Sequence, residues 1–139
     1  KVRMILFCRP KIVDISDEKV VIYIPLNRQT RNHVKSMYIG TMTVGADLVT
    51  GLTAMLSIRR SKRKIVLIFK DLNATFLKRA EGDTYFTCNY VKDIDSAVRK
   101  VISSKERVNL NVPVTATVPD KFGEELVAEF TITLSMKEY

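Results

Sequence analysis

The amino-acid sequence predicts an α+β fold in which one long central helix is wrapped by a curved, largely antiparallel sheet. The longest apolar segment runs from Met37 to Ile58 and contains one formal charge, Asp47, near its middle. The other apolar runs are shorter, rich in β-branched residues and separated by turn-like sequences. A helix that is apolar nearly all round has to be covered, and strands joined by turns form the antiparallel sheet that covers it.

The strands are predicted from runs of β-branched and aromatic residues. Residues 11–26 form a strand pair or one bent strand, because a turn-like cluster at 16–18 interrupts them and Pro25 ends the run. After the central helix, apolar stretches and the alternation of apolar with polar residues predict four strands, at 65–76, 84–91, 108–118 and 126–136. Helical spacing of apolar residues predicts a short helix at 93–103.

No repeat or linker interrupts the chain, so we expect a single domain over residues 1–139, with residues 1–10 as an N-terminal lead-in. The first residue is Lys rather than Met, and we therefore expect the natural start to be missing. Met4 to Cys8 faintly resembles the apolar part of a secretion signal. It is too short and no small-residue cleavage site follows, so secretion is not expected.

The segment from Met37 to Ile58 is long enough to span a bilayer. Asp47 would then lie at the midplane, where an isolated carboxylate is strongly unfavourable. Four threonines and three glycines also lower the intrinsic helix propensity of the segment. We therefore expect a buried core helix held by tertiary packing, in a soluble protein without membrane insertion.

The chain is basic, with 23 Lys and Arg against 15 Asp and Glu and a net charge of +8. Such a surface favours anionic partners, which include nucleic acid, a membrane face and a phosphorylated small ligand. The basic run from Arg59 to Lys64 complements the dipole at the end of the central helix, and a solvated helix end is its simplest interpretation. No helix-turn-helix, zinc-finger or RNA-recognition pattern occurs, so nucleic acid is not the expected partner.

The two cysteines, Cys8 and Cys88, lie eighty positions apart. This spacing fits neither a metal site nor a disulfide framework, and it predicts a reducing compartment, the cytoplasm. With no base near them in sequence, both are expected to be small apolar residues. The sequence therefore predicts neither a bound metal nor a resident cofactor.

A spaced motif surrounds the start of the central helix. Asn32 is followed six residues later by Tyr38-Ile39-Gly40, and Asp47 comes nine residues after Tyr38. Together with the strand order, this resembles the hotdog fold of the phenylacetyl-CoA and hydroxybenzoyl-CoA type of acyl-CoA thioesterase, in which an asparagine, a His-Gly-Gly and a carboxylate follow at the same spacing. The segment Asp71–Ala80 also resembles the family's strand after the helix. The resemblance covers residues 11 to 137, and the short helix inserted before the last two strands resembles an uncharacterised branch of the superfamily. Tyr38 and Ile39 stand where the family has the His and the first Gly.

The resemblance implies a thioester carbonyl at the N-terminus of the central helix, held at Tyr38, Ile39 and Gly40, where free backbone N–H groups near Ile39, Gly40 and Thr41 would stabilise an oxyanion. Asp47 would be the general base toward water or the nucleophile, and Asn32 would orient the water or the carbonyl. It also implies a homodimer or a dimer of dimers, with Asp47 facing the other subunit. The coenzyme A thioester is then the substrate.

Simpler interpretations exist for each of these residues. Asp47 could be a structural carboxylate with a hydrogen-bonded partner, since buried charges are usually paired. Asn32 could cap a turn, and Tyr38 could be a core or interface aromatic. His33, the only histidine, is expected on the surface of the loop.

The phosphates of coenzyme A require basic side chains, and guanidinium groups bind phosphates bidentately. Two patches qualify in the sequence, and the sequence does not choose between them; they are Arg59, Arg60, Lys62 and Arg63, and Lys78 with Arg79. The first functional hypothesis is therefore an acyl-CoA thioesterase. The alternative, motivated by Tyr38 and Ile39, is a non-catalytic module that binds acyl-CoA or fatty-acyl groups.

Overall fold

The computed structural model describes residues 2–139. In chain order its elements are α1 (Arg3–Cys8), β1 (Lys11–Ile15), β2 (Val20–Ile24), α2 (Ile39–Ser61), β3 (Ile65–Phe76), β4 (Thr84–Cys88), α3 (Val91–Ser104), β5 (Val108–Thr117), α4 (Pro119–Phe122) and β6 (Leu126–Glu138). Residues 11–26 are thus a strand pair, and the predicted short helix begins two residues earlier, at Val91.

The six strands form one sheet in the order β1-β2-β4-β5-β6-β3. Every neighbouring pair is antiparallel. The sheet is curved and does not close, so β1 and β3 are its edges. The predicted α+β hotdog architecture, with a long central helix and a largely antiparallel sheet, is confirmed.

The central helix α2 lies against the middle of the sheet. Its buried face includes Met42, Ala46, Val49 and Ala54, which pack with the inward side chains of the strands. Among residues 2–139, α2 is the one helix long and apolar enough to cross a membrane by length and composition. It is instead the core helix of this domain, as the carboxylate in its middle predicts.

The second half of α2 packs against α3. Ile58 at the end of α2 forms a small core with Val98 and Val101 of α3 and with Ile65 and Met136 of the sheet. This cluster closes the end of the fold that lies away from the start of α2.

The N-terminal lead-in contains the short helix α1, which packs on α2. Cys8 at its end is buried, with its thiol beside the Thr41 side chain in the first turn of α2. Met4, Leu6 and Phe7 remain exposed on the outer side of α1.

Strand β3 contains a β-bulge at Lys70. Phe69 pairs with Leu134 and Asp71 pairs with Thr133, so Lys70 has no partner residue on β6. A bulge of this kind bends a strand and redirects a side chain. It lies on the edge strand, opposite the middle of α2.

Candidate functional site

Asp47 lies at the rim of a cavity of about 350 Å³ between α2 and the edge strand β3. Four apolar side chains form most of its wall, namely Val44, Phe69, Leu72 and Ile132. Thr43, Lys70 and Asp71 complete the lining. Because β3 is an edge, no further strand of the described chain covers its outer side.

The Asp47 carboxylate is half-buried and has no cation within 4 Å among residues 2–139. Burial raises the pKa of Asp47 above its ordinary value, and no hydrogen bond or neighbouring charge offsets this. Buried carboxylates in folded proteins are normally paired. An unpartnered carboxylate at the wall of an apolar cavity is therefore a candidate functional group.

Two further polar residues of this cavity were not predicted as site residues. Lys70 is the extra residue of the bulge, and it forms no ion pair with a carboxylate of the described chain. Asp71 accepts a hydrogen bond from the Thr133 hydroxyl at 2.5 Å, which fixes its carboxylate against β6. The signal in the sequence was that these two charged residues interrupt an otherwise apolar strand. The sequence alone does not show that the strand has a bulge there.

The N-terminus of α2 holds the three residues predicted to bind a substrate carbonyl. Tyr38 is the N-cap residue and provides no side-chain hydrogen bond to the first turn. The helical bonds begin with the N–H of Met42 donating to the Tyr38 carbonyl, which leaves the N–H groups of Ile39, Gly40 and Thr41 without an acceptor in the helix. Tyr38 and Ile39 are more than half exposed, and the Tyr38 ring lies over Gly40.

Asn32 stabilises the loop before α2. Its side-chain oxygen accepts hydrogen bonds from the backbone N–H of Val34 and Ser36, at 3.0 and 3.1 Å, and from the Ser36 hydroxyl. This is the turn-capping geometry of an asparagine, and it leaves the amide nitrogen as the group that could donate to a substrate. His33 beside it is exposed, as expected for a loop histidine.

The structure does not bring Asp47 and the helix start together within one chain. Gly40 and Asp47 are separated by seven residues of helix, roughly 10 Å along the axis at about 1.5 Å per residue. Asn32, Tyr38, Ile39 and Gly40 are also absent from the lining of the Asp47 cavity. One chain therefore presents two half-sites, a helix N-terminus and a cavity with a carboxylate.

The basic residues of the first predicted patch divide into two groups. Arg60 and Arg63 line a cleft between α2 and α3, whereas Arg59 and Lys62 are exposed outside it. In the second patch, Lys78 is paired with Glu125 at 3.1 Å and its ammonium lies over the Phe122 ring. Arg79 is exposed.

No group of three or more His, Cys, Asp or Glu side chains suited to hold a metal occurs among residues 2–139. Cys8 and Cys88 are both buried and unpaired, and burial raises the pKa of each thiol. Their placement matches the expected role as small apolar residues.

Comparison with known proteins decides the family. A family model described as a domain of unknown function, DUF4442, matches residues 5–136. The chain belongs to the DUF4442 family. A search of curated proteins gave no significant match for this DUF4442 domain.

Solved structures with the same fold include thioesterases. A probable thioesterase from Pseudomonas aeruginosa is 18% identical with a TM-score of 0.81, over 99% of this chain and 89% of that one. A thioesterase from Staphylococcus aureus is 14% identical with a TM-score of 0.72, over 98% and 99%. A protein of unknown function from Chlorobaculum tepidum is 9% identical with a TM-score of 0.86, over 99% and 88%. The DUF4442 domain therefore has the hotdog fold of thioesterases.

Proposed function

We propose that this protein is a cytoplasmic acyl-CoA thioesterase that works as a homodimer, with Asp47 as its catalytic carboxylate. The observation that carries the proposal is the unpartnered, half-buried carboxylate of Asp47 at the wall of an apolar cavity. The cavity suits an acyl chain, because four apolar side chains line it.

Asp47 acts as the general base toward a water molecule, or attacks the thioester carbonyl directly to give a mixed anhydride that water then hydrolyses. Either role requires the ionised carboxylate. Its raised pKa makes the ionised carboxylate a stronger base than that of an ordinary aspartate.

The oxyanion that develops on the thioester carbonyl is stabilised by the N-terminus of α2. The free N–H groups of Ile39, Gly40 and Thr41 point out of the first turn, and the helix dipole favours negative charge there. The amide nitrogen of Asn32 is a further donor for the carbonyl or the water, since only its side-chain oxygen is used in the loop.

A second copy of the chain is needed to complete this site. The two half-sites are roughly 10 Å apart along α2, whereas a base has to lie within hydrogen-bond distance of the group it acts on. In a homodimer, the helix N-terminus of one protomer can face the Asp47 cavity of its partner. Two equivalent sites then form about one two-fold axis.

Edge strand β3 is the surface on which this dimer forms. Its twelve residues leave one row of backbone groups without a partner strand in the described chain. Val66, Ile68, Phe69 and Phe76 are each about 40 to 50% exposed. A long apolar edge strand is normally protected, and pairing with the same strand of a second copy protects it.

One of the neighbouring structures supports the pairing of Asn32 with Asp47. The Staphylococcus aureus thioesterase has been crystallised as a glutamine-to-alanine variant and as a glutamate-to-alanine variant. The two replaced residues are as far apart in that chain as Asn32 and Asp47 are in this one. An amide and a carboxylate at this separation are the pair that the proposed mechanism uses.

A second candidate function is a non-catalytic module that binds acyl-CoA or fatty-acyl groups. The Tyr38 ring over Gly40 favours it, because the ring occupies space beside the N–H groups that a carbonyl would need. Such a module would use the apolar cavity without the reaction.

Thiol release by the purified protein, measured across short, medium, long and aromatic acyl-CoAs, tests the two functions. Asp47→Asn should lower turnover at least about a hundredfold, and Asp120→Asn, an exposed aspartate on α4, should not change it. Equal turnover by wild type and Asp47→Asn would refute the catalytic role. No turnover, together with thermal stabilisation by acyl-CoA that Asp47→Asn retains, would establish the binding module.

A further inference from the structure

A second cleft, separate from the Asp47 cavity, lies between the end of α2 and α3. Its volume is about 350 Å³. Three arginines line it: Arg60 from α2, Arg63 from the loop after α2, and Arg99 from α3. Arg99 is far from the other two in sequence, so the cleft exists only because α3 packs on α2.

Two of the guanidinium groups are held in place by carboxylates. Asp95 Oδ1 accepts a hydrogen bond from the Arg60 guanidinium at 2.9 Å and another from the Ser57 hydroxyl at 2.5 Å. Arg63 Nε donates to Glu138. Each guanidinium has five N–H donors and uses one here, so most of its donors remain free for a ligand. Holding the side chains in advance reduces the entropy lost on binding.

Positive charge dominates the cleft. Asp95 is the single carboxylate in its lining, against three arginines. Glu138, outside the lining, is shared by Arg63 and Lys105, and their hydrogen bonds lower the pKa of its carboxyl. No carboxylate among residues 2–139 lies within 4 Å of Arg99, which donates to the Ser96 hydroxyl.

We propose that this cleft binds phosphate groups, and that Arg99 is the arginine most available to them. Guanidinium groups bind phosphate oxygens bidentately and keep their charge at all physiological pH values. Several of them around one small cleft suit a multiply charged diphosphate or phosphate monoester better than a single carboxylate.

The ligand that fits both sites is coenzyme A, and to this extent the inference rests on the proposed function. Arg60 is thirteen residues from Asp47 on α2, roughly 20 Å along the helix at about 1.5 Å per residue. Coenzyme A likewise keeps its phosphates away from the thioester, because the pantetheine arm lies between them. A free nucleotide is the other source of the same phosphate chemistry.

Calorimetric titration of the wild-type protein with coenzyme A, ADP and pantetheine, which lacks the nucleotide phosphates, tests the cleft. Arg99→Gln should weaken coenzyme A binding about tenfold, as expected for losing hydrogen bonds to a charged group. Arg28→Gln is the matched control, because it removes the same charge from an exposed arginine that lies outside the cleft. It should leave the affinity unchanged, and a melting curve for each variant shows that it is folded.

Equal affinity of wild type and Arg99→Gln for both phosphate ligands would overturn the proposal, and so would an equal loss in Arg28→Gln. A loss of ADP binding in Arg99→Gln, with coenzyme A bound no better than ADP, would identify a free nucleotide as the ligand. These titrations do not require turnover. Binding of coenzyme A through Arg99 by a protein that hydrolyses no thioester would support the cleft and refute the thioesterase.

Discussion

The aromatic ring of Phe86 on β4 lies directly against the backbone of Gly45 in α2. A Cβ atom at position 45 would overlap the ring, so the sheet approaches the helix as closely as a glycine permits. Both residues are fully or nearly fully buried. This contact sets the distance of the sheet from α2 two residues before Asp47.

Gly45→Ala should therefore destabilise the protein, although alanine is the better helix former. Overpacking a tight core typically lowers the free energy of unfolding by about 1–3 kcal/mol. Gly51→Ala is the control on the same helix, because its Cβ would make an ordinary contact with Phe69 at 3.4 Å. That variant should gain up to about 1 kcal/mol from helix propensity. Urea denaturation measures both, and equal effects would contradict the close approach.

The stability of Asp47→Asn relative to wild type should depend on pH. Burial raises the pKa of Asp47 above the ordinary value of 3.8, so the folded chain holds this proton more tightly than the unfolded chain. The wild type therefore loses free energy of unfolding as the pH rises from that ordinary value through the folded-state pKa, and the asparagine variant does not. Urea denaturation at about pH 4 and about pH 7.5 measures the free energy of unfolding of both proteins. From the lower to the higher pH, the asparagine variant should become more stable relative to the wild type. A pH-independent difference would mean that the carboxylate is not desolvated.

Lysines on the exposed face of β3 should separate the proposed homodimer. In Val66→Lys/Ile68→Lys, like charges would oppose each other across the pairing of two β3 strands, and light scattering after gel filtration should report a monomer. Thiol release should be lower in the monomer, because the helix N-terminus of one protomer no longer faces the Asp47 cavity of its partner.

The other sheet edge provides the control for this dimer. Ile12→Lys/Val13→Lys places the same charges on β1, where both residues are also about 50 to 60% exposed. This variant should remain dimeric. If the β1 variant were monomeric and the β3 variant dimeric, the interface would lie on β1 instead of β3.

Lys62→Gly should stabilise the end of α2. Lys62 is the C-cap residue and has a φ of 58°, in the left-handed region that costs a residue with a Cβ about 1–2 kcal/mol. Relief of this strain, partly offset by the greater freedom of glycine when unfolded, should give a net gain of about 0.5–1 kcal/mol. Lys64→Gly lies two residues on, outside the left-handed region, and should give no gain in the same thermal melts.

The fold could be predicted because each element carries its own local signal. The apolar segment around Asp47, the apolar run at 65–76 and the alternating run at 108–118 predict the elements to within a few residues. Turn-like sequences between the strands predict that the sheet is antiparallel, but they do not show that β3 pairs with β6 rather than with β4. Between the strands predicted at 108–118 and 126–136 lies the single-turn helix α4, which was not predicted.

The site was harder to predict because its geometry depends on contacts between distant residues. Arg60 and Arg99 belong to one cleft because α3 packs on α2, and no spacing in the sequence indicates it. The spacing of Asn32 and Asp47 predicts a shared site, but a helix of known rise keeps the start of α2 away from Asp47 within one chain. The proposed homodimer would bring the two together.

The bulge at Lys70 has a consequence for insertions and deletions in β3. Because Phe69 and Asp71 pair with consecutive residues of β6, a strand without Lys70 would keep every side chain on its present face. Loss of any other residue within the strand would turn part of it over, exposing its apolar side. Lys70 is thus the one position in β3 where the chain can shorten without changing the pattern of the sheet. Lys70 therefore contributes a bend in the strand and a cation beside the Asp47 cavity, although it pairs with no residue of β6.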